Sequence, residues 1–137
     1  MYNAYAGEDE VRTGYRVLFT VGVLSIIGGL LFASLSSSLG AREIADGFVA
    51  VASISAVSGI AAIAAGILVR RRNRSGVLLG IVVGALGVAF AAFDVVSAVR
   101  IGAPITTIAA PFVLLGLNVA IVRALFMAEP YVRAEDR

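Results

Sequence analysis

The chain has 137 residues, of which 60% are hydrophobic and 15% are charged, and its net charge is +2. Soluble domains average about 45–50% apolar and about 25% charged residues, so this composition excludes an ordinary soluble domain and favours a membrane protein. There is no Cys, His or Trp and all eleven basic residues are arginine, so we expect no disulfide, metal site, cofactor or enzymatic activity.

Four stretches of the sequence are long and apolar enough to cross a membrane, which takes about 20 residues of helix. They cover residues 15–35, 47–69, 76–99 and 105–127. Only three charged residues, Arg16, Asp94 and Arg123, lie inside these spans. The pattern predicts an all-α fold: an integral membrane four-helix bundle, running up-down-up-down, as one domain over residues 1–137.

The first span has a face of small residues that favours helix packing. Gly22 and Gly29 align with Ser25 on one side of a helix, and small residues let helix backbones approach closely in a bilayer. The apolar run is longer than that of a signal peptide, and the upstream residues 8–10 are acidic where a signal peptide is basic. We therefore expect this span to be retained.

The second span is small on much of its surface, with Gly59 and Gly66 as its expected packing positions. It is followed by four arginines, which we call the loop arginines: Arg70, Arg71, Arg72 and Arg74. Arginines in short loops stay on the cytoplasmic side, so this loop determines the predicted topology. Both termini then lie in the cytoplasm, with nine arginines inside and two outside. This topological role accounts for the basic run, and we expect no nucleic-acid partner.

The third span carries the longest small-residue face, which includes Gly80, Gly84 and Gly87 and continues to Asp94. We expect Asp94 to point into the protein, about 10 Å from the bilayer centre. Hydroxyl side chains at a similar depth complete a predicted intramembrane polar cluster, namely Ser53, Thr106 and Thr107. A carboxylate in this position has one of two roles. It is structural, and forms an ion pair or is hydrated, or it is functional and handles protons or cations.

The fourth span contains Asn118, whose amide is costly to expose to lipid. We expect Asn118 to form a hydrogen bond with another helix or a neighbouring subunit. Arg123 lies near the cytoplasmic end of the span, where a long side chain can reach lipid phosphates.

These features predict a small non-enzymatic membrane protein that acts as a structural or accessory subunit of a larger membrane assembly or envelope. Its expected partners are membrane lipids and either other membrane protein subunits or further copies of itself. The expected location is the cell membrane, with a viral or vesicle envelope as the alternative. The second functional hypothesis is an oligomeric transporter or channel subunit that uses Asp94 for proton or cation handling.

Overall fold

The computed structural model of the protein describes residues 4–38 and 42–135. They form four helices, which are α1 (Ala4–Ser38), α2 (Arg42–Arg70), α3 (Arg74–Arg100) and α4 (Ile105–Glu135). Each helix contains a segment long and apolar enough to span a membrane, which confirms the prediction of four apolar helices.

The first and last helices continue well past the predicted spans. With 35 residues α1 is about 52 Å long, and with 31 residues α4 is about 46 Å long, against about 30 Å of hydrocarbon. The additional turns pack on each other: Val11 and Val132 are buried, and Gly7 lies against the ring of Tyr131. This mutual burial explains why the helices continue beyond the apolar runs.

The α2–α3 loop is a tight turn stabilised by backbone hydrogen bonds. Arg72 adopts a left-handed conformation with φ of 54°, and its N–H donates to the carbonyl of Val69 at 2.8 Å. The N–H of Asn73 donates to the carbonyl of Leu68 at 2.9 Å, which completes a Schellman motif. The Asn73 side chain then accepts from the N–H of Ser75 at 2.8 Å and caps α3.

The α3–α4 connection ends α3 with the same motif. Gly102 has φ of 65°, and its N–H donates to the carbonyl of Val99 at 3.1 Å. The N–H of Ala103 donates to the carbonyl of Ala98 at 2.9 Å. A glycine suits this position because it adopts a positive φ without steric cost.

The four helices form a ring in which α1 contacts α2 and α4, and α3 contacts α2 and α4. We call the half of the bundle that contains residues 4–22, 59–88 and 118–135 the terminal half, and the remainder the distal half. Among the side chains that the structure describes, the hydrophobic core lies in the terminal half and draws on all four helices; its members are Val11, Leu18, Val21, Ala62, Ala65, Val69, Val77, Ile121, Leu125, Ala128 and Val132.

The distal half is far less buried. Among its described residues only Gly29, Ala52 and Ala91 are buried. Large apolar side chains such as Leu30, Phe93 and Phe112 are 63% to 70% exposed. The bundle is therefore packed at the terminal end and open at the distal end.

Candidate functional site

The α1–α2 hairpin is held by close backbone contacts at glycines. A Cβ added to Gly59 would lie 2.7 Å from the carbonyl oxygen of Gly22, and one added to Gly22 would lie 2.9 Å from that of Gly59. At Gly29 the nearest atom would be the carbonyl oxygen of Ala52, also at 2.9 Å. These distances leave no room for a side chain at the crossing.

The glycine face of α3 packs mainly on α4. The Leu125 side chain lies over Gly80, and a Cβ on Gly84 would be 3.0 Å from side-chain atoms of both Ile121 and Val122. One turn further along, Gly87 lies against the amide of Asn118. On α2, Gly66 is in ordinary contact with Leu18 and Phe19 of α1, at 3.5 Å.

Among the described residues of this chain, Asn118 forms no hydrogen bond to another helix, and a bond to a neighbouring subunit stays a prediction. It is 5% exposed, and its Nδ2 donates to the carbonyl oxygen of Leu114, one turn earlier in α4, at 2.8 Å. The physical reason is proximity, since a carbonyl four residues back is always within reach of a helical asparagine. Its contact with α3 is steric packing on Gly87.

Asp94 does not point into the protein as the sequence led us to expect. Its side chain is exposed, and within the described part of the chain no hydrogen bond or ion pair involves it. The helix face that carries it is buried at Gly84 and at Ala91. Beyond Ala91 no residue of α3 is buried, and no helix segment whose side chains the structure describes covers the carboxylate.

The structure does not assemble the predicted polar cluster around Asp94. Ser53 is exposed and its hydroxyl donates to the carbonyl of Val49 in its own helix at 2.9 Å. Thr106 is also exposed, whereas the Thr107 side chain lies outside the described residues. The hydroxyls and the carboxylate thus share the distal half without contacting one another in one chain.

The loop arginines are all exposed at the terminal end of the bundle, and they do not share one structural setting. Arg70 is the last residue of α2 and Arg74 is the first residue of α3. Arg71 lies between the two helices, in the turn, where its backbone N–H donates to the carbonyl of Ile67 at 3.1 Å. The arginine run predicted from the sequence as a loop is therefore only partly loop, because its two outer members belong to helices.

Two loop arginines have a further structural role. The Arg74 guanidinium lies 3.8 Å from the Glu129 carboxylate, which connects the loop to α4. Arg72 has a left-handed backbone conformation, in which a residue with a Cβ carries about 1–2 kcal/mol of steric strain that a glycine would not. A charged residue thus stands where backbone sterics favour glycine.

Sequence reasoning did not reveal that the described residues of the distal half are mostly exposed. The small-residue face of α3 runs without interruption to Ala98 in the sequence, yet burial along it ends at Ala91 among the described residues. The candidate site is therefore the open distal surface, with Asp94 as its only charged side chain inside the predicted apolar spans.

Known proteins offer no guide to this site, because no protein family, curated protein or solved structure matches the chain. Within the described residues there is also no group of three or more His, Cys, Asp or Glu side chains that could hold a metal ion. The site is consequently interpreted from its own geometry alone.

Proposed function

We propose that this protein is a non-enzymatic subunit of a larger membrane assembly, and that the distal half is the surface that contacts its partner. The observation that carries the proposal is the exposed Asp94 in the otherwise uncharged span of α3, residues 76–99. A charge that faces lipid inside a bilayer costs about 2.5–3.5 kcal/mol near the helix centre. A polar or basic group on a second chain removes this cost.

The neighbourhood of Asp94 supports the same interpretation. Phe90, Phe93 and Val96 on α3 are 50% to 70% exposed, and Phe112 and Val113 on α4 are 63% and 60% exposed. Lipid can cover such side chains, but the carboxylate among them needs a polar partner. An apolar surface with one polar residue is typical of specific association between membrane helices.

The proposed topology places both termini and the α2–α3 loop in the cytoplasm. It is supported by the exposure of the loop arginines, including Arg71 within the turn itself, because arginine-rich short loops resist translocation. The left-handed Arg72 is consistent with this topology, since a positive charge occupies a position where backbone sterics favour glycine. The distal half, with Asp94, then lies towards the outer leaflet.

The test is gentle detergent extraction followed by native mass measurement of wild type, Asp94→Asn and Asp9→Asn. Asp9 is an exposed aspartate of α1 at the opposite end of the bundle and serves as the matched control. We expect a complex of fixed stoichiometry for wild type and Asp9→Asn, and loss of most of that complex for Asp94→Asn. A solitary monomer for wild type would contradict the proposal.

A second candidate is an oligomeric transporter or channel subunit, because the same exposed carboxylate shares the distal half with the exposed hydroxyls of Ser53 and Thr106. In an oligomer these groups can line a polar path that one chain lacks. Proton or cation flux into liposomes should then exceed background for wild type and fall to background for Asp94→Asn. Equal background flux in both proteins would exclude this function.

A further inference from the structure

A groove on the outer surface of the α3–α4 hairpin stands apart from the candidate site. It has a volume of about 530 Å³, within the roughly 300–1,000 Å³ typical of small-molecule sites. Its lining includes Ala85 and Val88 of α3 and Val119, Phe126, Met127 and Arg123 of α4. The α4 residues recur at helical spacing and form one face of that helix.

The groove is apolar except for one cation. Phe126 is 72% exposed, Val119 is 49% exposed and Met127 is 46% exposed, so no helix of this chain covers them. Arg123 is exposed as well, and no ion pair or hydrogen bond joins it to any described residue. The groove therefore combines an apolar lining with a positive charge that no described residue compensates.

With the α2–α3 loop placed at the membrane interface, as in the proposed topology, Arg123 lies close to the level of the lipid headgroups. It is six residues, or about 9 Å along the helix, from Glu129, which pairs with Arg74 at the loop. A long arginine side chain can span most of that distance and place its guanidinium near the interface. Val119 lies one turn further towards the bilayer centre, so the apolar lining continues inward from the charge.

We propose that this groove binds one anionic phospholipid, with its phosphate on the Arg123 guanidinium and an acyl chain along the apolar lining. The choice of occupant follows from charge and depth together. The guanidinium matches a phosphate with two parallel hydrogen bonds, and the groove below it offers no polar group to a peptide or a sugar. The site is in the terminal half and does not depend on the partner proposed for Asp94.

The contact between Arg123 and the lipid headgroup is tested by adding dioleoyl phosphatidylglycerol or dioleoyl phosphatidylcholine to delipidated protein. Bound lipid is then measured by native mass spectrometry. We expect about fivefold tighter binding of phosphatidylglycerol, which corresponds to about 1 kcal/mol for one arginine near the membrane surface. Arg123→Gln should abolish the preference. Arg16→Gln, which removes an exposed arginine outside the groove, should retain it.

The contact between the groove and the acyl chain is tested by Ala85→Leu, which fills the groove. This variant should weaken binding of both lipids several-fold, whereas Ala64→Leu, at an exposed alanine of α2 outside the groove, should leave both unchanged. Excess glycerol phosphate distinguishes a lipid from a free phosphate, and we expect it not to compete.

Three results would overturn the proposal. They are equal binding of the two lipids by wild type, loss of the preference in Arg16→Gln as much as in Arg123→Gln, and full competition by glycerol phosphate with no effect of Ala85→Leu. The last result would assign a free-phosphate site instead. Because Ala85→Leu does not alter the charge, it tests the groove even where Arg123→Gln folds poorly.

Discussion

The terminal and distal halves of the bundle are built from the same kinds of residue and differ in what covers them. Leu18 and Leu125 in the terminal half are completely buried, whereas Leu30 in the distal half is 64% exposed. Both halves have glycine and alanine at helical spacing. The comparison shows that a small-residue face in a membrane sequence indicates where helices can approach, and does not indicate whether a helix of the same chain fills the space.

The difference arises between the two hairpins. In the distal half Gly29 of α1 still packs on the backbone of Ala52 in α2, so the first hairpin remains closed there. The described members of the core that joins both hairpins all lie in the terminal half. The free energy of unfolding of one isolated chain should therefore depend mainly on terminal-half contacts.

The largest expected effect comes from truncating one leucine in each half. Truncation leaves a cavity in the packed terminal half and none in the exposed distal half. Leu125→Ala should lower the free energy of unfolding in mild detergent by about 2–5 kcal/mol, since the removed atoms lie in the core. The matched change Leu30→Ala should alter it by less than about 0.5 kcal/mol. Equal losses for the two variants would mean that the distal half is packed as tightly as the terminal half.

Alanine substitution should have opposite signs at Gly59, a close-packed glycine of the terminal half, and at Gly116, an open glycine of the distal half. Gly59→Ala forces a Cβ against the Gly22 carbonyl and should destabilise the chain by about 1–3 kcal/mol. Gly116→Ala, with nothing within 4 Å of the added Cβ, should stabilise it by about 0.5–1 kcal/mol through helix propensity. Thermal unfolding of both variants in one detergent checks the signs, and a destabilised Gly116→Ala would refute the open distal half.

Loop substitutions should lower the free energy of unfolding by about the same amount in either half, because helix capping is a local interaction. Asn73→Ala removes the cap of α3 at the terminal end and should cost about 1 kcal/mol. Gly102→Ala places a side chain at a positive φ at the distal end and should also cost about 1 kcal/mol. Chemical denaturation measures both values.

Gly102→Asn is the control for that pair, since asparagine tolerates the left-handed region, and it should recover part of the loss. If Gly102→Ala costs nothing, the backbone at the distal connection relaxes in a way that the terminal loop does not. The comparison between the halves would then extend to their turns.

The smallest expected effect concerns the ion pair between Arg74 and Glu129. Its side chains are 48% and 27% exposed, so Glu129→Gln should lower the free energy of unfolding by no more than about 0.5 kcal/mol. Raising the salt concentration should remove the difference from wild type. Glu8→Gln, at an exposed site, is the control, and a larger effect there would show that net charge and not this pair is responsible.

The helices were predictable from the sequence because lipid imposes a simple rule on it: about 20 apolar residues, with charges kept outside. The extension of α1 back to Ala4 was not predictable in this way. Residues 4–14 carry charges and resemble a solvated tail, yet they are helical where Gly7 lies against the ring of Tyr131 and where Val11 joins the buried core to which Val132 also belongs. Contacts between residues so distant in sequence leave no local signal.

The outcome at Asn118 and Asp94 shows where sequence patterns mislead for single polar residues. Both are polar residues on largely apolar helices, and the same rule predicted buried, interhelical positions for both. Asn118 is buried but satisfied by its own helix, whereas Asp94 is exposed. Whether such a polar side chain is buried depends on whether another helix is present at the same depth. The spacing of residues within one helix cannot specify this.

The order of residues was enough to establish that the chain forms four apolar helices and where the inner two begin and end within about two turns, because burial in lipid acts locally along the chain. The three-dimensional packing was needed to show that the described core residues lie in the terminal half, that Asp94 lies on an exposed surface, and that Arg123 lines an apolar groove. These features depend on the relative positions of two hairpins, and contacts between residues distant in sequence determine those positions.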